Sequence, residues 1–202
     1  MVLKSSSVSD SAKANDVIAV AADLSEATRQ FKERYKYLPG DDPLASSQLP
    51  NVAVAQVGDG NGLIDFDALT NLEPSLAPLH LFQAGLIRVS ADPGNAVTGI
   101  SLRSHFGTVW LMSFAMAATP AGSGGGSTPC GVSIFGGSPP VQLNSVVFAN
   151  IPAGVAQQID AKYDDGFPNT GAIRASGYGI NPTQVYDTTS SAPAVACFAM
   201  PL

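Results

Sequence analysis

The stretch from Ala14 to Gly40, ANDVIAVAADLSEATRQFKERYKYLPG, constrains the chain more than any other. Val17, Val20, Ala21, Leu24, Ala27, Thr28, Phe31, Tyr35 and Leu38 recur at steps of three and four, which lays them on one stripe of a helical period. The opposite side carries Asp23, Glu26, Arg29, Gln30, Lys32, Glu33 and Lys36, with opposite charges three or four residues apart. One face is therefore suited to burial and the other to water or a polar partner. Pro39 disfavours helix at Leu38, Gly40 suits a left-handed cap, and Pro43 blocks an immediate restart. The pattern predicts a helix over 14–38 that ends near Tyr37.

The composition of the remainder favours long loops and short strands over a helical bundle. With 20 Gly, 15 Pro and 13% charged residues in 202, turns and loops must take up much of the chain. That length suits one globular domain spanning 1–202. Residues 1–12 form a polar lead-in, expected to be disordered or the edge of a truncated chain. A net charge of −6 argues against a phosphate-binding surface, since such surfaces depend on Lys and Arg, and no nucleic-acid partner is predicted. No signal peptide and no apolar run of bilayer length is present in the sequence.

After a proline-marked loop over 41–57, the run Gly58-Asp59-Gly60-Asn61-Gly62-Leu63-Ile64-Asp65 is the densest chemical signal. Alternating oxygen-bearing side chains around a turn-permitting glycine suit a hard cation, which is bound by several oxygens at once. Asp59, Asn61 and Asp65 are the expected calcium ligands. Aligned on a calcium-binding helix–loop–helix pattern, however, the loop has Val57 and Ala68 where the first and last acids belong. The competing reading is a series of Asx turns in which these side chains bond their own backbone.

Further along, 76–84 predicts a short helix with Pro78 in its first turn and Gly85 as its cap. Runs at 86–89, 99–106, 108–117 and 144–149 predict a three- or four-stranded antiparallel sheet, and 194–199 a final strand. Between the third and fourth runs, Thr119 to Pro140 is a Gly/Ser/Pro-rich surface excursion. Pro152 to Tyr163 predicts a third short helix, and Phe167 to Ser176 an extended stretch. Neither His80 nor His105 has sequence neighbours that suggest a metal site or a nucleophile pair. There is no GxSxG elbow, no HExxH and no phosphate loop, so no catalytic residue is assigned and no enzyme is expected. Cys130 and Cys197 form a disulfide if the protein leaves the cytoplasm, a bridge worth at most roughly 4 kcal/mol. Two buried thiols are the alternative.

Four landmarks then occur in order: FKERYKYLPGDDP at 31–43, GDGNG at 58–62, HLFQAGLI at 80–87 and IDAKYDDGFPNTG at 159–171. Together they resemble the type IV pilin-like proteins, the pilins and the pseudopilins of type II secretion. The resemblance implies an α+β pilin-like fold, a long N-terminal helix packed on an antiparallel sheet with short helices and long loops. It also implies a disulfide near the C-terminus and a leader-bearing, apolar first half-helix that anchors the subunit in the inner membrane. This chain departs from the pattern there: the likeness begins at the amphipathic second half, as for a soluble domain whose membrane half has been removed.

The function implied is that of a structural subunit, inner-membrane anchored and facing the periplasm before assembly. Afterwards it would lie in a cell-surface filament or a periplasmic pseudopilus. Its partners would be other pilin or pseudopilin subunits, with Arg29 and Glu33 on the assembly face. A surface-exposed minor pilin of adhesin type, binding through 119–140 or the tail, is the alternative, and a secreted hydrolase is a third reading.

Overall fold

A computed structural model describes residues 5–65, 73–88, 102–116, 141–168, 170–176, 185–188 and 194–202. Helix α1 runs from Ser5 to Tyr35, 31 residues, or about 46 Å at the helical rise. It starts earlier than the apolar stripe alone predicts, so residues 5–12, expected to be irregular, are helical from Ser5 onward. Serine tolerates helix, and Lys13 and Asp10, one turn apart, pair at 3.7 Å in this segment.

At the other end α1 stops two residues before Tyr37, and the left-handed residue that ends it is Lys36 (φ 73°), not Gly40. The Lys36 N–H still reaches the Lys32 carbonyl at 2.9 Å. Gly40 also has a positive φ, 91°, but for a different reason: a Cβ there would lie 2.5 Å from the Glu73 carbonyl oxygen.

The stretch expected to be loop contains one helical turn, α2 (Ala45–Gln48). Helix α3 spans Glu73–Gln83 and so begins before Pro78, which sits inside it. Proline is a poor interior residue because it lacks the N–H and crowds the preceding turn. Here the first turn is held from outside, through the Glu73 side chain described below. The far end behaves as the sequence predicts. Gly85 takes φ 71°, Leu86 N–H reaches the Leu81 carbonyl and Gly85 N–H that of Phe82, each at 2.9 Å, the paired bonds of a Schellman cap. The expected strand at 86–89 is therefore the exit from this cap as far as Arg88; Val89 lies outside the described residues.

Strands β1 (Leu102–Ser104), β2 (Gly107–Met116), β3 (Val141–Pro152), β4 (Arg174–Ser176) and β5 (Ala194–Pro201) form a five-stranded antiparallel sheet in the order β1-β2-β3-β5-β4. Helix α4 (Ala153–Tyr163) follows β3 directly, with Pro152 at its N-cap. The architecture is α+β. Its fifth strand is β4, the end of the stretch expected only to be extended, which pairs with β5 at the edge of the sheet. The register sets the core: Val109 faces Phe148, Leu111 faces Val146 and Phe148 faces Phe198. These side chains join Ala14, Val17, Ala21, Leu24, Ala27 and Phe31 of α1 in one buried cluster. Each large apolar side chain in it contributes about 1.5–3 kcal/mol. On the other face Met112, Val147, Cys197 and Ala199 are buried too, so the middle strands are covered on both sides. The excursion at 119–140 lies outside the described residues. Among those described, no helix is long and apolar enough to cross a membrane.

Candidate functional site

Three segments meet beyond the C-terminal end of α1: the turn 36–43, the glycine-rich loop 58–65 and the first turn of α3. Close backbone approach holds them together. A Cβ on Gly58 would lie 2.3 Å from the Gly40 carbonyl oxygen and from Asp41 Cα, so only glycine fits. Gly58 N–H donates to the Asp42 carbonyl at 3.1 Å. The loop is fixed to the sheet from its other side. Asn144 on β3 accepts from Ile64 N–H at 2.9 Å and donates to the Gly62 carbonyl at 3.0 Å, and Ser113 N–H on β2 reaches the Ile64 carbonyl at 2.6 Å.

His80 is completely buried in this joint. Its Nδ1 accepts from Gly40 N–H at 3.0 Å and its Nε2 lies 2.9 Å from the Gln56 carbonyl. Accepting at one nitrogen and donating at the other defines a neutral imidazole, and burial pushes its pKa down. The ring also lies nearly parallel to Phe31, centroids 6.1 Å apart. His80 is thus a packed residue whose two ring nitrogens are both engaged by the backbone.

The carboxylates converge here. Glu73, fully buried, accepts from Asp59 N–H at 3.0 Å through Oε1 and from Asp65 N–H at 3.1 Å through Oε2. Asp41, 1% exposed, accepts from Gly62 N–H at 3.0 Å through Oδ2. One carboxylate oxygen from each of Asp41, Asp59 and Glu73 lies within 4.8 Å of the others. Burial pushes Glu73 up to about 7 and Asp41 up to about 6, and the charged neighbours that act on them, Asp59 on both and Asp41 on Glu73, push the same way. Backbone N–H donors oppose the shift without cancelling it.

The expected calcium ligands are thus distributed differently. Asp59 belongs to the convergent group, while Asn61 and Asp65 serve the loop. Asn61 N–H donates to Asp59 Oδ1 at 2.9 Å and Leu63 N–H to Asn61 Oδ1 at 2.7 Å, two successive Asx turns. Asp65 contributes its N–H to Glu73. Asp41 and Glu73 are the members that sequence reasoning misses. Asp41 reads as part of the helix-stop motif, and Glu73 stands before Pro74 with nothing nearby in sequence to mark it.

A second acidic group, Asp160, Asp164 and Asp165, explains the last of the four landmarks. Asp160 is buried and accepts from Gly166 N–H at 3.0 Å and from the Tyr186 hydroxyl at 2.5 Å. Asp164 accepts from Ile173 N–H at 2.8 Å, and Asp165 from Phe167 N–H at 2.9 Å and the Thr170 hydroxyl at 2.5 Å. These acids fold the turn between α4 and β4.

Arg29 and Glu33 lie exposed on α1. Arg29 pairs with Glu26 at 2.6 Å and with Glu33, and its guanidinium holds Glu26 down at about 2. Cys197 is buried in β5 opposite Ala149; Cys130 lies outside the described residues. Searches against family models, curated proteins and solved structures return no match to this chain.

Proposed function

We propose that the chain is a structural subunit of a type IV pilus or of a type II secretion pseudopilus, with a pilin-like fold. The observation that carries the reading is the division of α1 into two faces. Ala14, Val17, Ala21, Leu24, Ala27 and Phe31 are spent on the subunit's own core, while Glu26, Arg29 and Glu33 form an exposed ion-pair row. A helix so divided can hold its domain and still offer a charged surface to a neighbour. The four ordered sequence landmarks supply the family to which this arrangement is assigned.

In this reading the partners are other pilin or pseudopilin subunits. An apolar half-helix continuing α1 would hold the subunit in the inner membrane, facing the periplasm, before assembly. A Cys130–Cys197 bridge would secure the sheet in that oxidising compartment. No catalytic step belongs to the role.

The test is charge reversal on the exposed face. Exposed ion pairs and like-charge contacts on a helix each change stability by only a few tenths of a kcal/mol, so Arg29→Glu, set between Glu26 and Glu33, should lower the thermal midpoint of the domain only slightly while removing the subunit from filaments. Normal incorporation of Arg29→Glu would refute the assignment of this face.

A further inference from the structure

We propose that Asp41, Asp59 and Glu73 together hold a calcium ion, which ties the turn after α1, the glycine-rich loop and the start of α3 into one unit.

The geometry suits such an ion. Calcium–oxygen distances centre on about 2.4 Å, so two ligands on opposite sides of the ion stand about 4.8 Å apart and all other pairs stand closer. The three carboxylate oxygens fall within that limit, each within 4.8 Å of the others. They come from three separate segments, as expected if the ion joins parts of the fold that the backbone does not.

A second observation is independent of the clustering. Asp41 is 1% exposed, and although its Oδ2 accepts from Gly62, its Oδ1 is buried with no hydrogen-bond partner. A buried carboxylate oxygen normally has a donor or a cation opposite it. Here the side chain carrying the orphaned oxygen belongs to the convergent group itself. The charged neighbours of Asp41 and Glu73 are further carboxylates, opposed by backbone N–H groups alone, those of Gly60, Asn61 and Gly62 toward Asp41 and those of Asp59 and Asp65 toward Glu73. A divalent cation would supply the opposite charge and the missing partner together.

The donor chemistry selects the metal. All three side chains offer oxygen only, and both nitrogens of the neighbouring His80 are engaged, with Gly40 and Gln56. That favours a hard cation over zinc or copper. Calcium accepts carboxylates that are already hydrogen-bonded and tolerates irregular geometry, whereas magnesium demands near-octahedral order at shorter distances. The inference does not depend on the filament reading, since a calcium-stabilised joint is compatible with any function of the domain.

Calorimetric titration and thermal melting of protein stripped with a chelator test it. Calcium should bind at one equivalent and raise the melting temperature, with magnesium much weaker. Asp41→Asn and Asp59→Asn should each weaken calcium binding by about tenfold or more. Asp59 is exposed, so its variant remains informative if burial makes Asp41→Asn fold poorly. Asp65→Asn should bind as wild type, which separates this site from one built along the loop 59–65. Absence of any calcium response in the stripped wild-type protein overturns the proposal. So does undiminished binding in Asp59→Asn, loss of binding in Asp65→Asn alone, or a response to magnesium without one to calcium.

Discussion

The backbone N–H of Gly40 donates to Nδ1 of His80 across 3.0 Å in the buried interior, joining the end of the longest helix to the middle of α3. The same imidazole continues to Gln56 on its other side. Replacing His80 with Ala would leave the Gly40 N–H without its acceptor, remove the contact to the Gln56 carbonyl and open a cavity beside Phe31. The expected loss is about 3 kcal/mol, read as a lower urea midpoint at unchanged slope. A midpoint within experimental error of wild type would show that the joint does not hold the fold.

Gly40→Ala tests the same joint through the backbone. Its φ of 91° and the 2.5 Å that would separate an alanine Cβ from the Glu73 carbonyl oxygen both oppose a side chain. A destabilisation of about 2 kcal/mol or more is expected. Gly62→Ala is the comparison, because it shares the positive φ, 88°, but a Cβ there meets nothing within 4 Å. It should therefore cost less; equal losses would place the whole effect in φ and none in the close approach.

Asp160 predicts a pH dependence. Burial holds its carboxyl at about 6 in the folded protein against 3.8 for the unfolded group. The folded state therefore binds the proton more tightly, and the stability this provides is complete below pH 3.8 and lost as the pH rises through 6. Wild type should lose no more than about 3 kcal/mol by this route, measured by denaturant titration across the window. Asp41 and Glu73 are shifted in the same direction, so Asp160 is isolated by the difference between wild type and Asp160→Asn. A difference that stays constant with pH would contradict the account.

The proposed Cys130–Cys197 bridge gives a simple chemical prediction. Alkylation of the denatured, non-reduced protein should label neither Cys130 nor Cys197, and prior reduction should expose both. Full labelling without reduction would remove the bridge.

Much of the fold is legible in the sequence because it follows from period and punctuation. The stripe from Val17 to Phe31 predicts a buried helical face, and Gly85 and Pro152 mark helix boundaries that the structure keeps. Two of the misplacements share one cause. Pro78 lies inside α3 because Glu73, buried against the 58–65 loop, holds a first turn that local rules do not foresee. Gly40 looks like a helix cap, yet its positive φ serves an approach to a residue far along the chain. The site is half-visible for the same reason. Asp59 stands in a conspicuous motif, whereas Asp41 and Glu73 acquire their meaning only when three distant segments converge, which no spacing along the chain encodes.

The most direct measurement of the central claim is the composition of filaments from the native organism. Sheared surface fibres, or secretion pseudopili extended by overproduction, would be purified and probed for this chain by mass spectrometry. The account predicts that the chain co-purifies with the filaments and that Arg29→Glu removes it from them. Recovery of the chain only outside the filament fraction, with filaments assembling normally when its gene is deleted, would contradict it.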